Sequence, residues 1–265
     1  MSDGVEVVPD ALRAGEVAAE AIAAALATAA RERRRAVLGC PAGRTPRTAY
    51  AALGRLARER ALDLARLEIV MMDEYVIEAE GGYAYCPADA PYSCRRFAEH
   101  ELRAVLNEGV PRERQLAPSA IHFPAPQDPA AYEDEIAALG GVDLFLLAAG
   151  SSDGHVAFNP PNSMLSSRTR IVALAETTRR DNLATFPTFR ALEEVPRFGL
   201  TVGLGTIRRH SRAVLLLLLG EEKRQALART RALAGFDPAW PASVVRLCRG
   251  VRIVADAAAA GCFSR

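Results

Sequence analysis

Residues Val142 to Asn162 read VDLFLLAAGSSDGHVAFNPPN. The first eight, Val142 to Ala149, form a short and almost continuously apolar run. The rest, Gly150 to Asn162, is a Gly/Ser/Pro-rich loop carrying one aspartate and one histidine. A continuous apolar run of this length suits a strand with helices over both faces, and the loop suits its carboxyl end. The same reading repeats outward along the chain. Asp128 to Leu139 precedes the run as a helix. Ala36 to Gly39 (AVLG) is a strand that enters the loop Cys40 to Pro46, with Thr45 expected to cap a helix running to about Arg60. Leu67 to Met72 (LEIVMM) is a buried strand ending in Asp73-Glu74-Tyr75. Phe198 to Val202, Arg212 to Leu219 and Val251 to Ala255 are further strands. Ala11 to Arg34, Tyr92 to Leu106 and Glu221 to Leu233 read as helices, and Gly81 to Pro91 as a lid-like loop. Strands alternating with helices predict an α/β fold with a mostly parallel sheet. No repeat or linker interrupts the pattern, so a single domain over 1–265 is expected.

Composition narrows the class. The chain has 265 residues, with 33 basic and 32 acidic side chains and a formal charge of +1, which argues against a nucleic-acid partner. No apolar run approaches the ~20 residues of a membrane helix. The N-terminal Met1 to Asp10 lacks the layout of a signal peptide, so a cytoplasmic protein without membrane contact is expected. The five cysteines are scattered and never paired as CxxC, and the four histidines are far apart, so no metal site is expected. Lys223 is the only lysine among the 33 basic residues. A compact ammonium and a planar guanidinium are not equivalent at a tight site, which singles out Lys223.

In open α/β sheets ligands bind outside the carboxyl ends of the strands. Four polar clusters fall there. Gly43, Arg44 and Thr45 precede a helix N-terminus, where free N–H groups favour an anion and Gly43 permits close approach. Lys223 lies in the first turn of a helix, where a bound phosphate would offset its unfavourable position. Asp73 and Glu74 follow a buried strand, and one of them could be desolvated into a general base. Asp153 and His155, separated by Gly154, can form an oriented proton-transfer pair. Each cluster alone also fits an ordinary strand terminus or helix cap; four at one end of one sheet point to a site.

Together they resemble the glucosamine-6-phosphate deaminase family, a branch of the wider group that also holds the 6-phosphogluconolactonases. The resemblance spans nearly the whole chain: LGCPAGRTP (Leu38 to Pro46), MMDEYV (Met71 to Val76), GSSDGHVAFNPP (Gly150 to Pro161), SSRTR (Ser166 to Arg170), LTVGLGTI (Leu200 to Ile207), LLGEEK (Leu218 to Lys223) and WPAS (Trp240 to Ser243). It implies a modified doubly wound, Rossmann-like fold and an aldose–ketose isomerisation that releases ammonia and fructose 6-phosphate. Asp73 would move the proton between C2 and C1, supported by Glu74. His155 would assist ring opening beside Asp153. Gly43, Arg44, Thr45 and Lys223 would hold the phosphate of a small sugar phosphate. No metal or organic cofactor is implied, and a homo-oligomer is left open. Two departures stand out. The family's usual glutamate after DGHxAFN is Pro160, and the place of a phosphate-binding arginine is taken by Ala184. Arg44 either replaces that guanidinium from the other side of the phosphate or points to solvent. The alternatives to a deaminase are a 6-phosphogluconolactonase-like hydrolase and a sugar-phosphate isomerase or binding protein without deamination.

Overall fold

The structure is a computed structural model and describes residues 4–262. Its strands are β1 (Val5–Val8), β2 (Ala36–Cys40), β3 (Leu67–Met71), β4 (Asp73–Ala79), β5 (Gly82–Tyr85), β6 (Ile121–His122), β7 (Leu144–Ala148), β8 (Arg170–Ala173), β9 (Phe198–Thr201), β10 (Val214–Leu218) and β11 (Val251–Asp256). Seven form a parallel sheet in the order β1-β11-β10-β7-β2-β3-β6. This is the doubly wound α/β fold expected, with helices on both faces. Alternate residues of each central strand enter opposite cores, as the two-residue period of a strand requires. Leu38, Ile69, Leu146 and Leu217 pack with the helices Ala11–Arg31 and Arg47–Glu59. Val37, Val70, Phe145, Leu147 and Leu216 pack with Ala131–Ala138, Leu204–His210 and Arg224–Ala232.

Strand order reverses between β2 and β7, because the chain grows from β2 to β3 on one side and from β7 to β10 on the other. At that seam Gly39 pairs with Phe145, and a Cβ on Gly39 would come within 1.9 Å of the Phe145 ring. Only glycine lets the two strands approach with that ring between them.

The remaining strands lie outside the parallel sheet, in a second sheet that the sequence reading does not separate from the first. β5, β4, β9 and β8 form a separate antiparallel sheet. Phe198–Thr201 therefore lies outside the parallel sheet, and Asp73-Glu74-Tyr75 opens a new strand where a polar terminus was expected. Met72 is the single residue between β3 and β4 and bridges the two sheets: its N–H donates to the Cys40 carbonyl (3.1 Å) and its own carbonyl accepts from Val202 N–H (2.8 Å). The expected loop Gly81 to Pro91 contains β5, paired with β4 around a turn at Gly81. Thr45 does not cap the following helix, which begins at Arg47 with Pro46 at its boundary and no side-chain cap. Glu221–Lys223 is a 3-10 turn, and the regular helix starts only at Arg224. The segment 94–107 is helical as expected, but π-wound over Ala98–Arg103.

Candidate active site

The four clusters leave the carboxyl ends of β2, β3, β7 and β10, and these strands are neighbours in the order β10-β7-β2-β3. The loops after β2 and β7 flank the point where strand order reverses, the general position of ligands in such sheets.

Asp73 begins β4 and is buried. Burial pushes its carboxyl up to about 7; Cys94 opposes this with a thiol donated to Oδ1 (3.4 Å), the charge of Glu74 adds to it, and that of His155 subtracts. Tyr75, two residues along the same strand and so on the same side as Asp73, is itself buried in an aromatic cluster, 5.4 Å from Tyr92 and 4.8 Å from Phe158 between ring centres. Asp73 can therefore both take and return a proton near neutral pH.

Glu74 is fully buried and has a different task. Its carboxylate accepts from the N–H groups of Cys94 (2.9 Å) and Arg95 (2.8 Å) and from Ser93 Oγ (2.9 Å). It occupies the N-terminus of the helical segment 94–107, where free N–H groups need an acceptor and the dipole favours an anion. Adjacent residues on a strand point to opposite sides, which separates the two carboxylates into one that is buried without full pairing and one that is saturated.

The loop after β7 carries Asp153 and His155. His155 Nδ1 donates to Asp153 Oδ1 at 2.7 Å, and its backbone N–H reaches the same oxygen at 3.1 Å. Thr177 donates to Asp153 Oδ2 at 2.5 Å, and Thr178 Oγ1 lies 3.2 Å from His155 Nδ1. Burial raises the Asp153 carboxyl, but the hydrogen bond and charge of His155 and the Thr177 hydroxyl outweigh it, so Asp153 stays below the usual carboxylate range. A carboxylate on Nδ1 leaves Nε2 as the free nitrogen, ready to accept a proton. The glycines are part of this geometry. A Cβ on Gly150 would come within 2.3 Å of Asp153 Oδ1 and His155 Nδ1. Gly154 has φ +65°, and a Cβ there would come within 2.3 Å of Trp240, the sole tryptophan, which backs the loop.

Lys223 closes the other side. Its Nζ donates to the Ala149 carbonyl (2.8 Å) and to Ser151 Oγ (2.9 Å). An ammonium has three donors, so one remains. Its pKa is lowered, first by burial and also by the charge of Arg44, while the carboxylates of Glu222, Asp181 and Asp153 pull it back up. Arg44 is exposed, and its guanidinium has no hydrogen bond or ion pair among the described residues. Gly43 has φ +93° and open space where a Cβ would stand. Thr45 also has an unengaged hydroxyl among the described residues. Arg44 is exposed beside this open glycine turn, and Lys223 is half-buried beyond the end of β10, so the chain carries a cationic group in each of the two loops.

Cys40 ends β2 and is wholly buried, which pushes its thiol up to about 12 and makes it unreactive. Three contributors lay beyond sequence reasoning: Cys94, Thr177 and Thr178. For the two threonines the signal would have been the polar pair Thr177-Thr178 at the start of a helix (Glu176–Thr185) whose hydroxyls meet the β7 loop; Cys94 offered none. The same helix carries Ala184. Arg170 is tied inward to Asn159 Oδ1 (2.9 Å) and Ser163 Oγ (3.2 Å). Among the described residues no helix is long and apolar enough to cross a membrane.

Comparisons with known proteins bear on this geometry. Residues 9–254 match the profile of the glucosamine-6-phosphate isomerases/6-phosphogluconolactonase family. A glucosamine-6-phosphate deaminase of Streptomyces coelicolor is 38% identical over 256 residues, covering 97% of this chain and 91% of the relative. One from Arthrobacter sp. is 39% identical over 262 residues, covering 97% and 91%. A solved structure of a monomeric glucosamine-6-phosphate deaminase superposes with a TM-score of 0.80 at 28% identity, covering 98% of this chain and 99% of that one.

Proposed function

The chain belongs to the family of glucosamine-6-phosphate isomerases and 6-phosphogluconolactonases, and from that premise we propose that it is a glucosamine-6-phosphate deaminase-like enzyme. It takes an amino sugar phosphate to fructose 6-phosphate and ammonia. The phosphate sits against the Gly43 turn and Thr45, between Arg44 and Lys223. His155 Nε2 moves the proton that opens the sugar ring, and Asp153 holds the imidazole in that tautomer. Asp73 takes the C2 proton and returns it to C1, which leaves an imine at C2. Water adds to the imine, and ammonia leaves as the ketone forms. Glu74 holds the strand that presents Asp73 and takes no part in proton transfer.

The observation that carries this reading is the pairing of unlike acids and bases: a carboxyl tuned to about 7 and an imidazole whose Nδ1 is locked by a carboxylate. Isomerisation needs two proton-transfer groups on different atoms of the sugar. Pro160 supplies no second carboxylate to the histidine, and the Thr177 and Thr178 hydroxyls beside Asp153 and His155 take up the polar contacts there. Arg44 is exposed next to the Gly43 turn with no hydrogen bond or ion pair among the described residues, which leaves its guanidinium available to a phosphate bound there.

The test is an NMR time course with glucosamine 6-phosphate in deuterated water, following ammonia, fructose 6-phosphate and the C2 proton. Ammonia together with ketose is the expected result. Neither ammonia nor C2 exchange would overturn the reading. Hydrolysis of 6-phosphogluconolactone by the same preparation would then move the assignment to the hydrolytic side of the family.

A further inference from the structure

The helical segment 94–107 meets β4 through two neighbouring carboxylates, and the two contacts differ in kind. Glu74 is bound by the backbone, through the N–H groups of Cys94 and Arg95. These bonds fix where the first residue of the helix stands, whatever its side chain. The side chain placed there is a thiol, and it falls 3.4 Å from Asp73 Oδ1. Cys94 is buried, at 3% exposure, and burial together with the charges of Asp73 and Glu74 holds its pKa well above the ordinary thiol value. It is therefore a permanent S–H, with a proton to donate and no thiolate chemistry to perform.

We propose that Cys94 is a positioning residue for Asp73: from the first turn of the helical segment its S–H holds one carboxylate oxygen and leaves the other to face the substrate. The inference deepens the proposed function and rests on its assignment of Asp73 as the base. The groups around Asp73 divide cleanly. Glu74 and Tyr75 lie on its own strand, Cys94 on the helical segment, His155 on the loop after β7, and Tyr50 on the helix Arg47–Glu59. Glu74 disfavours the ionised form by charge, and His155 favours it. Cys94 is the group with a hydrogen bond to the carboxylate itself. A donor to the charged form lowers a carboxyl pKa, and a thiol does so without adding a charge that would compete for the substrate.

The experiment compares kcat/KM across pH 5.5 to 9 in the wild type, Cys94→Ala and Cys94→Ser. Both variants keep the backbone clamp on Glu74, so both are expected to fold. In Cys94→Ala the acid limb should move up by about half a pH unit, a loss of roughly threefold at pH 6 that vanishes on the alkaline plateau. Cys94→Ser, which retains a donor, should lie closer to the wild type than alanine does. A loss by the same factor at every pH, or an unmoved limb in Cys94→Ala, would overturn the proposal. A second readout needs no turnover. The difference in melting temperature between each protein and its Asp73→Asn derivative, followed with pH, reports the titration of Asp73 directly, and Cys94→Ala should shift that profile in the same direction. Failure of the deaminase reading is seen separately, as a wild type that releases no ammonia or an Asp73→Asn variant that keeps its rate.

Discussion

The carboxyl of Asp73 is held where water reaches it poorly, and the folded protein bears the cost at alkaline pH. Its pKa is raised in the fold, to about 7, so the folded state binds the proton more tightly than the unfolded chain does. The stability this proton contributes is fully present below the unfolded pKa and is lost as pH rises towards 7. Asp73→Asn removes the charge without removing the shape. It should therefore raise stability by roughly 2–4 kcal/mol above pH 8, with the gain fading towards pH 4. Thermal melts at both ends of that range check it. Activity should move the other way and fall by several orders of magnitude, because a neutral amide cannot take the C2 proton. Asp73 and His155 were legible in sequence, since each follows an apolar run that ends abruptly. Cys94 was not, because its meeting with Asp73 is made across 21 residues by the packing of a helix on a strand. The Thr177 hydroxyl reaches Asp153 across 24 residues in the same way.

At the scale of elements, the join between β4 and the segment 94–107 depends on Glu74. One carboxylate satisfies two helix N–H groups and a serine hydroxyl, with the Arg95 guanidinium at 3.4 Å. Glu74→Ala leaves these donors buried without a partner and should cost about 3 kcal/mol, read as a lower urea midpoint. Hydrogen exchange should show the loss first at the amides of Cys94 and Arg95. Central strands β2, β3, β7 and β10 could be read from sequence because burial on both faces leaves them continuously apolar. β4 and β5 could not. The run Ile77 to Ala84 mixes exposed acidic, glycine and tyrosine positions, so its period resembles a loop. β9 was recognised as a strand but not as a member of a second sheet, since apolar character does not say which neighbour a strand pairs with.

Across the whole molecule, scaffold and site are built from different parts of each βα unit. The apolar strands supply the two cores, and the polar site residues are confined to the segments just beyond the strand ends. A change in the core should then alter stability with little effect on chemistry. Leu216, fully buried in β10, is a test: Leu216→Ala should lower stability by about 2–5 kcal/mol while KM for the sugar phosphate stays within about twofold at 25 °C. A large change in KM from this substitution would show that the core and the loops are mechanically coupled.

Met72 gives this arrangement a further property. Through its two backbone hydrogen bonds, one residue between the sheets is tied to Cys40 on one side and to Val202 on the other, and so couples the turn beyond Cys40 to the strand that opens with Asp73. On the proposed assignment of the phosphate turn and the base, the site would work as a caliper. A sugar phosphate would be gauged by the number of bonds between its anionic end and the carbon that must surrender a proton. A chain one carbon too short should seat its phosphate and still present no hydrogen to the jaw that removes it.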